Sequence, residues 1–381
     1  MKRLFGCCLM VMSVSVAVLL SQNIKVEVNQ DLRDKIGEML IVGFHENQFN
    51  RDSLIAQNIS TYHVGGVIIF ADKEVEEGKW EIRNVISPEQ LRTLIAQIKE
   101  YSIQYRKRAE GELFVGIDQE GGWVNPLPKE RGFLQEDMSA KELGKINCSD
   151  YTYSYASRLA EYLQDLGVNL NFAPVVDVAV NENNFIYERE RCFSNNPSLV
   201  FKQAKAFVKG MHGWGLVTSL KHFPGHGSSN GDTHRGMVDV TATWGDRELE
   251  PYKQFIDEDY DDMIMISHVI NKDLDPSAVP ATFSEKMVTK LLREEMGFQG
   301  VIVSDDLCMG AIANEYSFED TLKSTINAGI NMLILANHRK DQTKEAVDII
   351  EKLVACGEID DKKIEESYNR IINLKLKRSR K

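Results

Sequence analysis

What this chain has little of narrows its chemistry first. Lys and Arg number 45 against 57 Asp and Glu, for a formal net charge of -12. Nucleic-acid binding needs clustered cations to neutralise phosphates, so no nucleic-acid partner is expected. The one basic cluster, Lys375-Leu-Lys-Arg-Ser-Arg-Lys381, reads as the solvated tail of a helix. Cysteine is scarce: there are six, and Cys7 and Cys8 fall in an apolar N-terminal run. The other four, Cys148, Cys192, Cys308 and Cys356, are far apart and form no C-x-x-C pair of the zinc or redox kind. Buried free thiols are expected of them. No Gly-rich phosphate turn follows the first apolar run, which argues against a dinucleotide-binding sheet. There is no internal repeat and no low-complexity tract.

What remains is an ordinary globular composition, 43% hydrophobic and 27% charged over 381 residues. That length suits one large domain or two ordinary ones. The start differs in kind. Lys2 and Arg3 precede an apolar stretch over 4–20, then polar Ser21-Gln-Asn23, with no acidic residue before Glu27. This is the layout of a secretory signal, or of an uncleaved membrane anchor, since about 17 apolar residues just span a bilayer. Residues 1–22 are therefore expected to be a signal peptide or anchor. Any membrane association would run through 4–20, and the mature protein would be exported, periplasmic or extracellular.

From residue 30 onward, short apolar runs alternate with helical patterns. The runs are 39–44, 66–70, 113–117, 168–172, 216–220, 263–266, 300–303 and 332–335. They are brief, β-branched and almost continuously apolar, as parallel strands buried on both faces must be. Between them, 87–99 opens with a Ser cap and Pro88 at the first helical position. Residues 284–295, 341–354 and 360–376 carry apolar residues at helical spacing. Eight strand-then-helix units predict an α/β fold, a (β/α)8 barrel, as a single catalytic domain over 23–381. The short stretch after the eighth unit leaves no expected room for a second domain.

A barrel demands that reactive groups follow the strands. Asp118 ends the third run and Asp177 follows the fourth. Lys221 and His222 end the fifth, His268 the sixth and Asp305 the seventh. A carboxylate at a strand tip, such as Asp305, can attack an electrophilic carbon, whereas Asp306 reads as the cap of the next helix. Asp232 precedes His234 by two residues, close enough to fix its tautomer and support its charged form, so His234 can move protons. His222 and His226 have the i, i+4 spacing of a metal pair. Pro224, Gly225 and Gly227 oppose the helix that would put them on one face, so no metal and no cofactor is expected. Lys221 and His222 suit hydrogen bonds to sugar hydroxyls, and Asp118, followed by glycines, could grip a hydroxyl pair.

These residues resemble glycoside hydrolase family 3, in particular its single-domain β-N-acetylglucosaminidases. The likeness runs through Gly116-Ile-Asp-Gln-Glu-Gly-Gly122, Asn171-Phe-Ala-Pro-Val-Val-Asp177, Lys221-His-Phe-Pro-Gly-His-Gly227 with Asp232-Thr-His234, Pro280-Ala-Thr-Phe-Ser284, Gly297-Phe-Gln-Gly300 and Ser304-Asp-Asp-Leu307. It covers nearly the whole mature chain. The resemblance implies a retaining mechanism with Asp305 as nucleophile and His234 as acid/base, partnered by Asp232. It also implies that Asp118, Arg191, Lys221 and His222 hold an N-acetylglucosamine unit. One departure stands out. The family usually continues Gly-Gly-Arg-Val-x-Arg, whereas this chain has Gly121-Gly-Trp-Val-Asn-Pro126. Both arginines are gone, the second of which ordinarily helps hold the sugar, and Trp123 either offers a stacking face or packs.

The expectation is an exo-acting β-N-acetylhexosaminidase that removes terminal β-linked N-acetylglucosamine from peptidoglycan or chitin-derived fragments. The rivals are a β-glucosidase-type enzyme of the same family, a metallohydrolase, and an exported carbohydrate-binding protein whose catalysis is impaired. Intact Asp232, His234 and Asp305 argue against the last of these.

Overall fold

The structure is a computed structural model that describes residues 29–379, apart from 77–78, 107–110, 134–136 and 337–338. The signal or anchor expected over 1–22 lies outside the described residues. Eight strands build the core: β1 (Leu40–Gly43), β2 (Gly66–Ile69), β3 (Phe114–Ile117), β4 (Leu170–Asn171), β5 (Val217–Phe223), β6 (Met263–Ile266), β7 (Val301–Asp306) and β8 (Met332–Leu335). Each pairs in parallel with its sequence neighbour, and β8 returns to β1 through Leu40–Leu333 and Ile41–Ile334. The result is a closed barrel with helices outside it, the (β/α)8 architecture expected from the alternating runs.

The strands are apolar throughout because both faces are covered. One face fills the barrel, and the other meets the helices. Ile41, Val67, Val115, Leu170, Leu220, Ile264, Ile302 and Leu333 are fully buried or nearly so. Each such side chain contributes roughly 1.5–3 kcal/mol of burial. The helix Pro88–Tyr105 starts as anticipated: Ser87 caps it, Gln90 completes a capping box, and Pro88 occupies the first turn, where its missing N–H costs nothing.

Two strands run further than their apolar patterns. β5 extends to Phe223 and so contains Lys221 and His222, which the sequence placed just past its end. β7 extends to Asp306 and contains Asp305. At both extensions the ladder breaks: β5 pairs with β6 at Leu220 and again only at Phe223, and β7 pairs with β8 at Val303 and again only at Asp306. Such irregularities turn side chains out of strict alternation and toward a barrel's mouth. The hydrophobic pattern stops where polar residues begin, so it under-reads both strands.

Three other expectations are corrected. The segment Lys286–Glu295 is wound as a π-helix rather than an α-helix; its buried residues Met287, Val288 and Leu292 return at intervals of four and five. The basic C-terminal cluster is not wholly solvated. Lys375 and Arg378 are buried on one face of the helix Asp361–Ser379, where Lys375 and Arg106 pair with Glu38 and Arg378 pairs with Asp262. Compensation by opposite charge is what makes that burial tolerable. Lys377, between them, stays at the surface with Asp261. The four cysteines among the described residues are free, but of these only Cys192 is fully buried, Cys308 is half-buried, and Cys148 and Cys356 are exposed. Cys148 and Cys356 sit at helix caps, Cys148 before Ser149–Asp165 and Cys356 after Gln342–Ala355, where chain ends face solvent.

Candidate active site

All seven site residues expected from the sequence lie at the C-terminal mouth of the barrel or on its loops. Asp118 directly follows β3. Its carboxylate accepts a hydrogen bond from Lys221 Nζ at 2.6 Å. Lys221 also pairs with Glu120 Oε1 at 2.6 Å, and Arg191 grips Glu120 in bidentate fashion, both N–H···O distances being 2.8 Å. Asp118, Lys221, Glu120 and Arg191 thus form one alternating row of charges, with Lys221, Glu120 and Arg191 almost wholly buried. Burial works against every charge in the row, and pairing overcomes it in three of them. The cations hold Glu120 at about 2, the carboxylates raise Lys221, and Glu120 raises Arg191. For Asp118, burial prevails over Lys221, and its carboxyl is pushed up. Asp118 is also the partly exposed end of the row, so it is the member open to a ligand.

His222 has its tautomer decided by its neighbours. Arg191 donates to Nε2 at 3.2 Å, and a guanidinium can only donate, so Nε2 accepts. Nδ1–H then donates to Asp177 Oδ2 at 2.7 Å. Burial, with Arg191 and Lys221 nearby, drives the His222 pKa far down, so the ring is a neutral, fixed dipole. Asp177 also accepts the backbone N–H groups of His222 and His226, at 3.2 and 2.8 Å, which joins β5 to the loop that follows it. His226 meets Ser229 Oγ through Nδ1 at 2.8 Å and Thr233 Oγ1 through Nε2 at 3.4 Å, and it holds the loop's shape rather than facing a ligand. Among the described residues, no three His, Cys, Asp or Glu side chains come together as a group able to hold a metal ion.

The loop ends in a dyad. His234 Nδ1–H donates to Asp232 Oδ1 at 2.7 Å, and its backbone N–H donates to the same oxygen at 3.0 Å. Asp232 is held at about 2: burial opposes its charge, and the two hydrogen bonds from His234 outweigh burial. On His234, burial favours the neutral ring, but Asp232 and the charge of Asp305 prevail and raise its pKa. Its side chain is 61% exposed, so the proton on Nε2 can reach a ligand in the mouth.

Asp305 faces these groups from the end of β7. Burial pushes its carboxyl up, but His268, His222, His234 and the N–H of Asp306 together outweigh burial and hold it at about 2. The Asp306 N–H donates to Oδ1 at 2.8 Å and orients it. Asp306 itself is structural, though not as the expected cap of the next helix, Gly310–Ala313, whose N-cap is Met309: its Oδ1 accepts from the N–H groups of Cys308 at 3.0 Å and Ala336 at 3.1 Å, tying β7 to the end of β8. An ionised carboxylate coupled to a protonated imidazole is the equipment for nucleophilic displacement with proton delivery to a leaving group.

The sequence under-weighted four contributors. Glu120 is the hub of the charge row, and its place two residues after Asp118 was the available signal. Asp177 fixes His222, and its position after the fourth run was visible. His268 donates from Nε2 to the Asp306 carbonyl at 3.0 Å beside Asp305. Phe185 sits edge-on to His234 at 6.2 Å between ring centroids and under the Arg191 guanidinium at 5.6 Å. Nothing local marked Phe185.

The missing arginines leave a distinct surface. Gly121 and Gly122 both adopt positive φ, and a Cβ on Gly121 would lie 2.2 Å from the Met138 carbonyl oxygen, so only glycine fits there. The resulting tight turn, closed by a bridge between Gly121 and Val124, presents Trp123 with 71% of its surface exposed. Trp123 therefore does not pack, and the position of the family's second arginine is held by Pro126, which carries no charge.

Comparison with known proteins places this geometry. The family model described as glycosyl hydrolase family 3 N terminal domain matches residues 31–374. A β-hexosaminidase A of Pseudoalteromonas piscicida is 32% identical over 346 residues, which are 85% of this chain and 55% of the relative. A β-hexosaminidase of Nitrosomonas eutropha is 33% identical over 292 residues, 72% of this chain and 74% of the relative. The solved structure of a glycoside hydrolase family 3 β-N-acetylglucosaminidase from a Paenibacillus species superposes with a TM-score of 0.81 at 30% identity, over 91% of this chain and 62% of that one. The chain thus spans little more than half the length of the Pseudoalteromonas relative.

Proposed function

The chain belongs to glycosyl hydrolase family 3 through that family's N-terminal domain, and on that premise we propose that it is an exo-acting, retaining β-N-acetylhexosaminidase. The observation that carries the proposal is the Asp232–His234 dyad, whose charge is coupled to an ionised Asp305 at a strand tip. In the first step an Asp305 oxygen bonds to the anomeric carbon. The glycosidic bond breaks, and His234 gives its Nε2 proton to the departing oxygen. In the second step His234 takes a proton from water, whose oxygen replaces Asp305 at the anomeric carbon. This departs from the usual pair of carboxylates, because the acid is an imidazole whose partner keeps it charged.

Asp118, at the open end of the charge row, would accept hydrogen bonds from hydroxyls of the terminal sugar. Lys221, His222 and Arg191 would hold the floor against which it sits. The proposed substrate is a terminal β-linked N-acetylglucosamine of a peptidoglycan or chitin-derived fragment. The charged N-terminus and apolar run over 4–20 support an extracytoplasmic setting; recovery of the protein from the cytoplasm alone would overturn that location.

The direct test is hydrolysis of paired nitrophenyl β-glycosides, the N-acetylglucosaminide against the glucoside. Preferential cleavage of the N-acetylglucosaminide is expected. Preference for the glucoside would select the β-glucosidase-type activity instead, and binding without turnover of either would leave a carbohydrate-binding protein.

Trp123 supports a finer statement about the aglycone. An exposed indole on a tight turn, three residues after Glu120, would offer an apolar face to the next sugar of an oligomer. Trp123→Ala is expected to raise KM for a chitooligosaccharide about two- to twelvefold, in line with aromatic contacts of ~0.5–1.5 kcal/mol, and to leave the nitrophenyl glycoside unaffected. Equal KM changes on both substrates would place Trp123 against the terminal sugar instead.

A further inference from the structure

We propose that Gly310, on the segment just after the nucleophile's strand, is a positioning residue that latches the acid/base loop to that strand. This rests on the assignment of Asp305 and His234 above. The Gly310 N–H donates to the His234 carbonyl at 3.2 Å, and the Ala311 N–H donates to the Thr233 carbonyl at 3.1 Å. Gly310 and Ala311 open the short helix Gly310–Ala313, so their N–H groups have no partner within it. The loop that carries the acid supplies those partners, and Gly310 itself lies four residues beyond Asp306 and five beyond Asp305 along the chain. The two reacting groups, 71 residues apart in sequence, are thereby joined across two backbone hydrogen bonds rather than around the barrel wall.

The latch requires glycine for space, not for conformation. Gly310 is not among the residues with positive φ, so alanine could adopt its backbone angles. A Cβ at that position, however, would lie 2.7 Å from the His234 carbonyl oxygen and 3.1 Å from the Arg235 carbonyl carbon. Both are backbone atoms, so the collision is relieved by separating residues 233–235 from the segment that begins at Gly310; Asn314 Nδ2, 3.1 Å from the same Cβ, is the end of a side chain and can give way. Alanine also favours a helix over glycine, so the helix that starts here does not lose propensity. Gly236 is the natural control: it lies in the same loop, and a Cβ there meets nothing within 4 Å.

Displacing a proton donor by about 1 Å from its productive position costs on the order of 10²-fold in rate, and the cost falls on the step that needs the proton. Gly310→Ala is therefore expected to lower kcat/KM on a poor leaving group, such as an N-acetylglucosamine disaccharide, about 10- to 100-fold. It should change kcat/KM on a dinitrophenyl N-acetylglucosaminide less than about threefold, because that leaving group needs no proton. The NMR titration of His234 should also move down, since the loop shift carries it from the field of Asp305. Gly236→Ala should match the wild type in all three respects. If Gly310→Ala matches it too, the latch is wrong.

Amide hydrogen exchange of the unaltered protein provides a reading that needs no variant to fold. The Gly310 and Ala311 amides are expected to exchange as slowly as those of the following helical turn. Rapid exchange at both would overturn the latch. Should the unaltered protein cleave no glycoside at all, the assignment of activity fails, while the exchange and His234 titration data still decide whether the loop is held this way.

Discussion

Asp305→Ala is expected to reduce turnover by about 10⁴-fold or more, the scale seen when a covalent nucleophile is removed from an otherwise intact site. The carboxylate sits at the end of β7 with Oδ1 oriented by the Asp306 N–H, and its neighbours keep it ionised to about 2. No other group described at the mouth has that combination of ionisation and placement. Lys221 and Arg191 hold Glu120, Asp177 is bonded to His222, and Asp306 is tied to Cys308 and Ala336. Kinetics on the nitrophenyl N-acetylglucosaminide provide the measurement. Added azide should partly restore the variant's activity on a dinitrophenyl substrate and yield the α-glycosyl azide, since azide would occupy the space left by the carboxylate. Near-normal turnover by the variant would refute the nucleophile assignment.

His234→Ala is expected to divide substrates by leaving group. On a disaccharide, kcat/KM should fall about 10²- to 10⁴-fold, the range for loss of a positioned proton donor. On the dinitrophenyl glycoside, kcat/KM should fall less than about tenfold. Its kcat can still drop, because the second step loses its base. Equal losses in kcat/KM on both substrates would argue against the acid role. The pH dependence follows from the signs of the shifts. The first step needs Asp305 ionised and His234 protonated. Asp305 is held at about 2, so the acidic limb should lie far below neutrality. His234 is raised above its ordinary 6.5, so activity on the disaccharide should persist past that pH and fall only as the ring loses its proton. Asp232→Asn removes the hydrogen-bonded charge that raises His234, so the alkaline limb should move to lower pH.

Alone, the amino-acid sequence determined the fold and nominated candidate reactive side chains. Eight short apolar runs between helical patterns report burial on both faces of parallel strands, and burial is a local property that periodicity records. Strand-tip placement then singled out Asp118, Lys221, His222 and Asp305, and the spacing of Asp232 and His234 marked their dyad. The tertiary structure decided how those groups are paired and charged. Glu120 meets Arg191 across 71 residues, Asp118 meets Lys221 across 103, and Asp177 meets His222 across 45. No local pattern records such partners, because closure of the barrel brings them together. The same holds for the breaks in the β5 and β7 ladders, the exposure of Trp123, the burial of Lys375 and Arg378, and the contact between Gly310 and His234. Propensity and periodicity act over a few residues, whereas the field that sets a proton's affinity is summed over every charge that the fold places nearby.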